Sequence, residues 1–270
     1  MARNWFSLSK RKRTKPIEHS YQDNWVKITG SDKHGIATIF DNDVLIFVIA
    51  QYMNALNHGM KVGRRFQFTG YEFFQFIGKE KYGGKGYADL WKSLQRLHTT
   101  FVETNIRLGT TRTNHSFNWL SEIKQIHDGT SHRGYEIVIP DWVYESVTNK
   151  KMVLTLDDDY FLIRGGLERW LYLFARKTSG WQSGGWSEGI ESIYRKSAST
   201  GTLGEFRRKM KNIATKNTLL GYSVELVSDE SRSGNQQGLY FLRKNELIKM
   251  IAAEKPASSR RGAKQWRKDK

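Results

Sequence analysis

Two stretches of the sequence that lie 116 residues apart carry the same apolar pattern. Each predicts a short helix, a glycine-containing loop of about a dozen residues, and a longer helix whose buried stripe recurs at i, i+4 and i+7. The apolar positions are Phe74, Ile77, Leu90, Leu94 and Leu97 in the first stretch and Ile190, Ile193, Phe206, Met210 and Ile213 in the second. This is the outline of a helix-turn-helix, whose second helix can enter the major groove of DNA. The pattern therefore predicts a tandem DNA reader.

A third helix is predicted ahead of each pair. Apolar residues recur there at helical spacing in both copies, with an offset of 122 residues. Asp41 and Asp43 precede the first of these helices and are predicted to cap it. The apolar faces are Leu45, Val48, Ile49, Tyr52 and Met53 in the first copy and Leu167, Trp170, Leu171, Phe174 and Ala175 in the second.

Segments rich in β-branched and aromatic residues follow each long helix and predict strands. They are residues 100–107, 117–126 and 135–139 in the first copy, and residues 221–227 and 239–243 in the second. Three helices followed by a hairpin are the plan of a winged helix. We therefore predict an α+β fold of two tandem winged-helix domains with basic flexible tails.

The domain boundaries follow from these elements. Residues 1–19 and 255–270 are predicted to be basic flexible tails. Residues 20–139 are predicted to form the first winged-helix domain, which serves in dimerisation and auxiliary DNA contacts. Residues 140–254 are predicted to form the second, the main DNA reader. In the first domain, the apolar residues Phe117, Trp119, Ile123 and Ile126 offer a surface or sheet edge for self-association.

The net charge of +17 is concentrated in three places. Residues 1–15 hold six Lys or Arg and no acid, and residues 255–270 hold seven against one Asp. Residues 195–216 hold another seven against Glu205 alone. Cations gathered on one helix and two tails are typical of a nucleic-acid binder, in which Lys and Arg displace the counterions condensed on the phosphates.

The helical periodicity predicts which side chains face DNA. On the second long helix, opposite the apolar stripe or on its flank, are Arg207, Arg208, Lys211, Asn212 and Thr215, and on the first are Lys92, Gln95 and Arg96, with Lys85 at its start. Ser199, Thr200 and Thr202 precede the second long helix and are predicted to offer hydroxyls to phosphate. Arg195, Lys196 and Arg232 are also predicted to bind DNA. The alternative is that both helices present ordinary solvated faces.

Composition excludes several classes of protein. The chain has no cysteine, so disulfides and thiolate metal sites are excluded. The longest apolar run, residues 44–50, is too short to span a bilayer, and no apolar segment follows the N-terminal charges to form a signal peptide. We predict a cytoplasmic protein without a membrane segment or cofactor.

The sequence favours a binding protein over an enzyme. Asp157, Asp158 and Asp159 are adjacent, so their carboxylates diverge, and a helix cap is predicted rather than a metal site. The segment Gly83 to Gly86 lacks the first glycine and the Ser or Thr of a phosphate-binding loop. No His-x-His pair of the kind found in rolling-circle nicking enzymes is present among the seven histidines.

Three motifs resemble the bacterial plasmid replication initiator protein A family. They are FDNDVLIF at residues 40–47, GGKGYADLWKSL at 83–94 and LERWLY at 167–172, and the resemblance runs from about residue 36 to residue 243. It implies two winged-helix domains, binding of repeated double-stranded DNA sites at a plasmid origin, and recruitment of the host replication initiator and replicative helicase. It also implies a homodimer in autorepression and a location in the bacterial cytoplasm with the nucleoid or plasmid.

Two other functions remain open from the sequence. A tandem winged-helix transcriptional repressor would use the same DNA-binding surface. A nicking replication enzyme belongs to a different class, which strand cleavage with a divalent metal would reveal.

Overall fold

A computed structural model describes residues 3–21, 23–105, 114–148, 154–180, 184–229 and 236–254. The chain divides into two compact units, one made of Met1–Trp170 with Arg195–Thr200 and the other of Leu171–Tyr194 with Gly201–Lys270. The helices are α1 (Asn42–Asn57), α2 (Gly70–Phe76), α3 (Gly84–Thr99), α4 (Asp141–Thr148), α5 (Gly166–Thr178), α6 (Ile190–Ser197), α7 (Leu203–Lys216) and α8 (Lys244–Glu254). The strands are β1 (Ile17–Tyr21), β2 (Asn24–Thr29), β3 (Arg65–Phe68), β4 (Phe101–Thr104), β5 (His115–Asn118), β6 (Glu122–Asp128), β7 (Ser131–Val138), β8 (Trp186–Gly189), β9 (Tyr222–Asp229) and β10 (Gln236–Arg243).

The same connectivity occurs twice along the chain. The first copy runs α1, β3, α2, α3, β6, β7, and the second runs α5, β8, α6, α7, β9, β10. The three strands of each copy form an antiparallel sheet, ordered β3-β7-β6 in the first and β8-β10-β9 in the second. In both sheets the strand before the short helix pairs with the last strand. Helices and antiparallel sheets together make this an α+β protein.

The predicted stripes of the two long helices are buried. Leu90, Leu94 and Leu97 of α3 are each at most 3% exposed, and their counterparts in α7 are Phe206, Met210 and Ile213, at most 5% exposed. The predicted inward faces of both long helices are therefore confirmed. The helices themselves are offset by more than 116 residues, because α7 begins 119 residues after α3 and α6 begins 120 residues after α2. For the short helices the difference of four residues is about one helical turn, so the apolar faces still coincided.

A separate four-stranded antiparallel sheet, ordered β1-β2-β4-β5, combines two strands that precede α1 with two that are inserted after α3. Strand β4 pairs with the N-terminal strand β2, and β5 pairs with β4, so neither joins β6 or β7. Phe117 and Trp119, which we expected to form an exposed surface for self-association, are less than 10% exposed. Trp142 of α4 covers Phe117, with ring centroids 4.2 Å apart, and Phe6 stacks on Trp119 at 4.9 Å.

The N-terminal residues do not form the predicted flexible tail. Phe6 is 6% exposed, and Ser7 makes backbone hydrogen bonds with Ala37 and Ile39, each 2.9 Å long. The segment then continues into β1, which pairs with β2 over its whole length. The basic composition suggested flexibility, but short apolar stretches such as residues 5–8 bury enough surface to fix the segment.

The boundary between the compact units also differs from the predicted one at residue 140. Helix α4 belongs to the first unit because Val143 and Val147 are buried and the Tyr144 hydroxyl donates a hydrogen bond to the carbonyl of Val62, at 2.9 Å. Asp158–Leu162 form a 3₁₀ helix. Its N-cap residue is Asp157, whose carboxylate accepts a hydrogen bond from the backbone amide of Asp159. The acidic triplet is thus a cap, as predicted.

Two buried ion pairs hold the start of α1. The Asp43 carboxylate accepts two hydrogen bonds from Nη1 of Arg169, at 2.6 and 2.7 Å, and both side chains are less than 10% exposed. Burial raises the pKa of Asp43 to about 6, and the charge of Arg169 opposes the rise. Asp41 occupies the N-cap position of α1 without capping it. Its carboxylate is instead used by Thr38, Ser93 and Arg96.

We expect the Arg169→Met variant to lose about 3–5 kcal/mol of unfolding free energy, because Asp43 would stay buried without its cation. The double variant Asp43→Asn with Arg169→Met should be more stable than Arg169→Met alone, since it buries no unpaired charge. Urea unfolding of the four proteins measures this coupling. A double variant as unstable as the sum of the two single variants would contradict it.

Candidate nucleic-acid interface

Helix α7 begins with a capping box and ends on a left-handed residue. The Thr202 hydroxyl accepts a hydrogen bond from the backbone amide of Glu205, and the Glu205 carboxylate accepts one from the amide of Thr202. These bonds with Thr202 lower the pKa of Glu205. At the other end, Asn217 has φ 47° and its side chain bonds to Ser223 and to the amide of Val224. Both ends of α7 are therefore fixed.

The face of α7 opposite its buried stripe is polar, basic and exposed. Arg208, Lys211, Asn212 and Thr215 are all exposed, and their side chains make no hydrogen bond or ion pair with any residue that the structure describes. The predicted set is therefore brought together on one helix face. Sequence reasoning missed Lys209, which is equally exposed on the flank of α7. On a helical wheel Lys209 falls between the buried stripe and the opposite face, so it was assigned to neither.

Two predicted residues of α7 are engaged within the protein. Arg207 donates to the Glu191 carboxylate of α6 at 2.7 Å, and both side chains are more than one third exposed. Such a surface pair contributes about 0–1 kcal/mol, so phosphate can compete for Arg207. Thr202 serves as the helix cap, and its hydroxyl was predicted to be a phosphate ligand. The hydroxyl oxygen accepts the capping bond and the hydroxyl also donates to the Glu205 carboxylate, so Thr202 is already engaged within the protein.

The predicted residues before α7 fall in the first unit, which includes Arg195–Thr200. Arg195 and Thr200 are exposed, whereas Lys196 and Ser199 are half-buried. The turn contains Ala198 with φ 57°, and the amide of Ser199 donates to the Ser197 hydroxyl at 3.1 Å. Arg232 lies outside the described residues.

The corresponding face of α3 is less available than predicted. Lys85 and Lys92 are exposed, and Lys92 lies 3.9 Å from Asp89, whereas Gln95 is half-buried. Arg96 was predicted to face DNA and does not. Its Nε and Nη2 donate to the buried Asp41 carboxylate at 2.7 and 2.6 Å, and the hydrogen bonding from this pair raises the pKa of Arg96. The partner lies 55 residues earlier in the chain, so helical periodicity could not identify it.

The described part of the chain contains no group of three or more His, Asp or Glu side chains arranged to hold a metal ion. None of its helices is long and apolar enough to cross a membrane.

The sequence matches the family model described as Replication initiator protein A over residues 1–224. A protein of Wigglesworthia glossinidia brevipalpis named "Putative replication protein" is 33% identical over 195 residues, which cover 70% of each chain.

Two solved structures of domains 2 and 3 of RctB share the fold. One has a TM-score of 0.61 at 12% identity and covers 88% of this chain and 94% of its own. The other has a TM-score of 0.58 at 11% identity, with coverages of 90% and 97%. At these identities the likeness concerns the fold alone.

The two basic residues Lys92 and Arg96, which we predicted on the outer face of α3, should behave differently when replaced. Arg96→Met leaves the Asp41 carboxylate buried beside Thr38 and Ser93 only, so we expect a loss of about 3 kcal/mol of unfolding free energy. Lys92→Met, the matched control one turn earlier, should change it by less than about 0.5 kcal/mol. Urea unfolding measures both. Equal stabilities for the two variants would show that the Asp41 pair does not support the fold.

Proposed function

Because the chain belongs to the replication initiator protein A family, we propose that it initiates plasmid replication by binding repeated double-stranded DNA sites at the origin. The observation that carries this proposal is the α7 face, on which the side chains of Arg208, Lys211 and Asn212 are exposed opposite a buried stripe and make no hydrogen bond or ion pair with the described residues. Arg and Lys can each contact guanine edges, and Asn can contact adenine edges.

We propose further that both copies of the repeated connectivity are winged-helix domains. The shared order of one helix, a strand, two helices and two strands supports this assignment, as does the pairing of each first strand with the last. In that arrangement α3 and α7 are the recognition helices and the β6-β7 and β9-β10 hairpins are the wings.

The second copy is proposed to supply most of the DNA affinity. Residues 195–216 hold seven Lys or Arg against one acid, whereas residues 79–100 hold five against two. One of those five is Arg96, whose charge is already neutralised by Asp41. Affinity for DNA increases with the number of phosphates that are neutralised, so α7 and the residues before it are favoured as the main reader.

The remaining parts of the proposal concern partners. We propose that the DNA-bound protein recruits the host replication initiator and replicative helicase, and that binding near its own promoter represses its synthesis. For a homodimer we propose β6, one of the two edge strands of the sheet β3-β7-β6 among the described strands, on which Ile123 and Ile126 are half-buried. These activities place the protein in the bacterial cytoplasm, with plasmid or nucleoid DNA.

We expect Arg208→Ala and Lys211→Ala each to lose about 1–3 kcal/mol of binding free energy for the origin site, while unrelated duplexes lose less. Lys209→Ala is the matched control, because it removes one charge from the same helix at its flank. It should weaken binding to both DNAs alike. Fluorescence anisotropy at several salt concentrations measures the three variants. Unchanged origin affinity for Arg208→Ala and Lys211→Ala would exclude α7 as the reader.

Footprinting on the replicon that encodes the protein separates an initiator from a repressor. Directly repeated protected sites beside an AT-rich segment support initiation. A single inverted repeat over a promoter would instead support a transcriptional repressor.

We propose that the protein binds DNA without cleaving it. Supercoiled origin plasmid incubated with the protein and Mg²⁺ should stay supercoiled on an agarose gel, because the residues we assign to DNA only neutralise phosphates and contact bases. Conversion to open circles that is lost when the metal is chelated would make the protein a nicking enzyme. Plasmid without the origin, treated in the same way, controls for contaminating nucleases.

A further inference from the structure

The basic segment near the N-terminus, residues 9–15, is held in place at both ends. Before it, Phe6 is buried against Trp119, and Ser7 bonds to the backbone of residues 37 and 39. Within it, the carbonyl of Arg13 accepts a hydrogen bond of 2.8 Å from the amide of Ile36. After it, Ile17 begins β1. The segment is therefore an ordered loop on the surface of the first unit.

The same N-terminal residues bind the carbonyls of the turn that follows α6. The backbone amide of Asn4 donates to the carbonyl of Lys196, and its side-chain Nδ2 donates to the carbonyl of Ser197, both at 2.8 Å. The Nη1 atom of Arg13 donates to the carbonyl of Ala198 at 3.1 Å. These bonds lie within the first unit and fix residues 9–15 beside Arg195–Thr200.

The two segments together carry a dense positive charge. Residues 9–15 and Arg195–Thr200 hold seven Lys or Arg and neither Asp nor Glu. Arg11, Lys12 and Lys15 are exposed, as are Arg195 and the hydroxyl-bearing residue Thr200. Two acidic residues follow residues 9–15 in the chain without pairing with their cations. Glu18 lies 3.9 Å from Lys27. Asp32 accepts a hydrogen bond from Lys12 through its backbone carbonyl and not through its carboxylate.

The internal bonds leave most of these charges unneutralised. Arg13 donates to three carbonyls, those of Lys15, Pro16 and Ala198, and so serves as an anchor. Lys10 lies over the ring of Phe40 at 4.4 Å. The side chains of Arg11 and Lys15 make no hydrogen bond or ion pair within the described ranges. Cations held close together repel one another, and a polyanion relieves the repulsion.

We propose that residues 9–15 and Arg195–Thr200 form one ordered phosphate-binding surface, here called the N-terminal basic surface, that contacts the DNA backbone at a fixed position. The proposal rests on the function proposed above, since the partner is the same duplex. It differs from a flexible basic tail because the surface is tied to the protein at residues 4, 7 and 13. Exposed Arg, Lys and Thr side chains without acids fit phosphodiester oxygens and carry no base-reading amide.

The test is a full-length triple variant, Arg11→Gln, Lys12→Gln and Lys15→Gln. Its matched control, Lys27→Gln, Lys61→Gln and Arg164→Gln, also removes one Arg and two Lys from exposed positions of the same unit. We expect the triple variant to bind origin and unrelated duplexes about 10- to 100-fold more weakly. The slope of log affinity against log salt should fall by about 0.9 for each lost phosphate contact. The preference for the origin should not change, and the control should stay close to the unmodified protein.

Hydroxyl-radical footprinting then distinguishes an ordered surface from a flexible one. The triple variant should lose protection at one discrete group of sugars and keep the rest. A uniform loss of protection along the DNA would contradict contact at a fixed position. A salt dependence equal to that of the control would show that the N-terminal basic surface does not bind DNA, and an acidic protein would then be its alternative partner. Matched thermal unfolding of both variants excludes misfolding. Failure of the proposed function appears separately, as an unmodified protein with no preference for origin DNA.

Discussion

The buried carboxylates of Asp41 and Asp43 at the start of α1 connect α1 to α3 and to α5. Asp41 lies in the loop before α1 and accepts hydrogen bonds from Thr38, Ser93 and Arg96, so it joins that loop to two turns of α3. Asp43 binds Arg169 at the start of α5, and the same guanidinium donates to the carbonyls of Phe161 and Ile163. A buried charge that loses its partner is costly, so these contacts hold the first unit in one arrangement.

That arrangement has a consequence for DNA binding. Because Asp41 takes up Arg96, α3 has lost one of the cations that its sequence offers, whereas the outer cations Arg208 and Lys211 of α7 have no such partner among the described residues. The two helices share a buried stripe and a connectivity, yet α7 exposes more cations than the Lys85 and Lys92 of α3. In the first copy, Arg96 stabilises the fold and is not available for a contact with DNA. The division of labour that we propose agrees with this difference.

The sequence predicted the parts of the fold that depend on local periodicity. The stripes of α3 and α7 and the faces of α1 and α5 repeat at helical spacing, and water exclusion makes such stripes face inward whatever the topology. Contacts between distant residues could not be predicted in this way. Arg96 looks like a solvated residue on a helical wheel, and Phe117 looks like an exposed strand residue until Trp142 and Phe6 cover the strand that contains it. The four-stranded sheet was missed for the same reason, since β4 pairs with β2, a strand that lies more than 70 residues earlier in the chain.

The candidate site was predicted best where it lies on one amphipathic helix and least well where separate segments build it. Charge counting located residues 1–15 and 195–216 correctly as the basic parts of the chain. It could not reveal that Asn4 and Arg13 bind the carbonyls of residues 196–198, because backbone acceptors leave no signature in the sequence. A basic residue in an ordered loop reaches a defined phosphate without first losing the conformational freedom of a tail, which favours binding.

The two long helices also differ in how they begin, and this difference bears on where phosphate can bind. In α7 the capping box uses the amides of Thr202 and Glu205, and the Glu205 carboxylate adds negative charge to that end of the helix. Both effects weaken the attraction of the helix N-terminus for a phosphate. In α3 the N-cap is Gly83, which offers no side-chain acceptor to the first amides. The N-terminus of α3 therefore has the more available backbone amides of the two, and the proposal that α7 reads bases rests on its side chains rather than on its N-terminus.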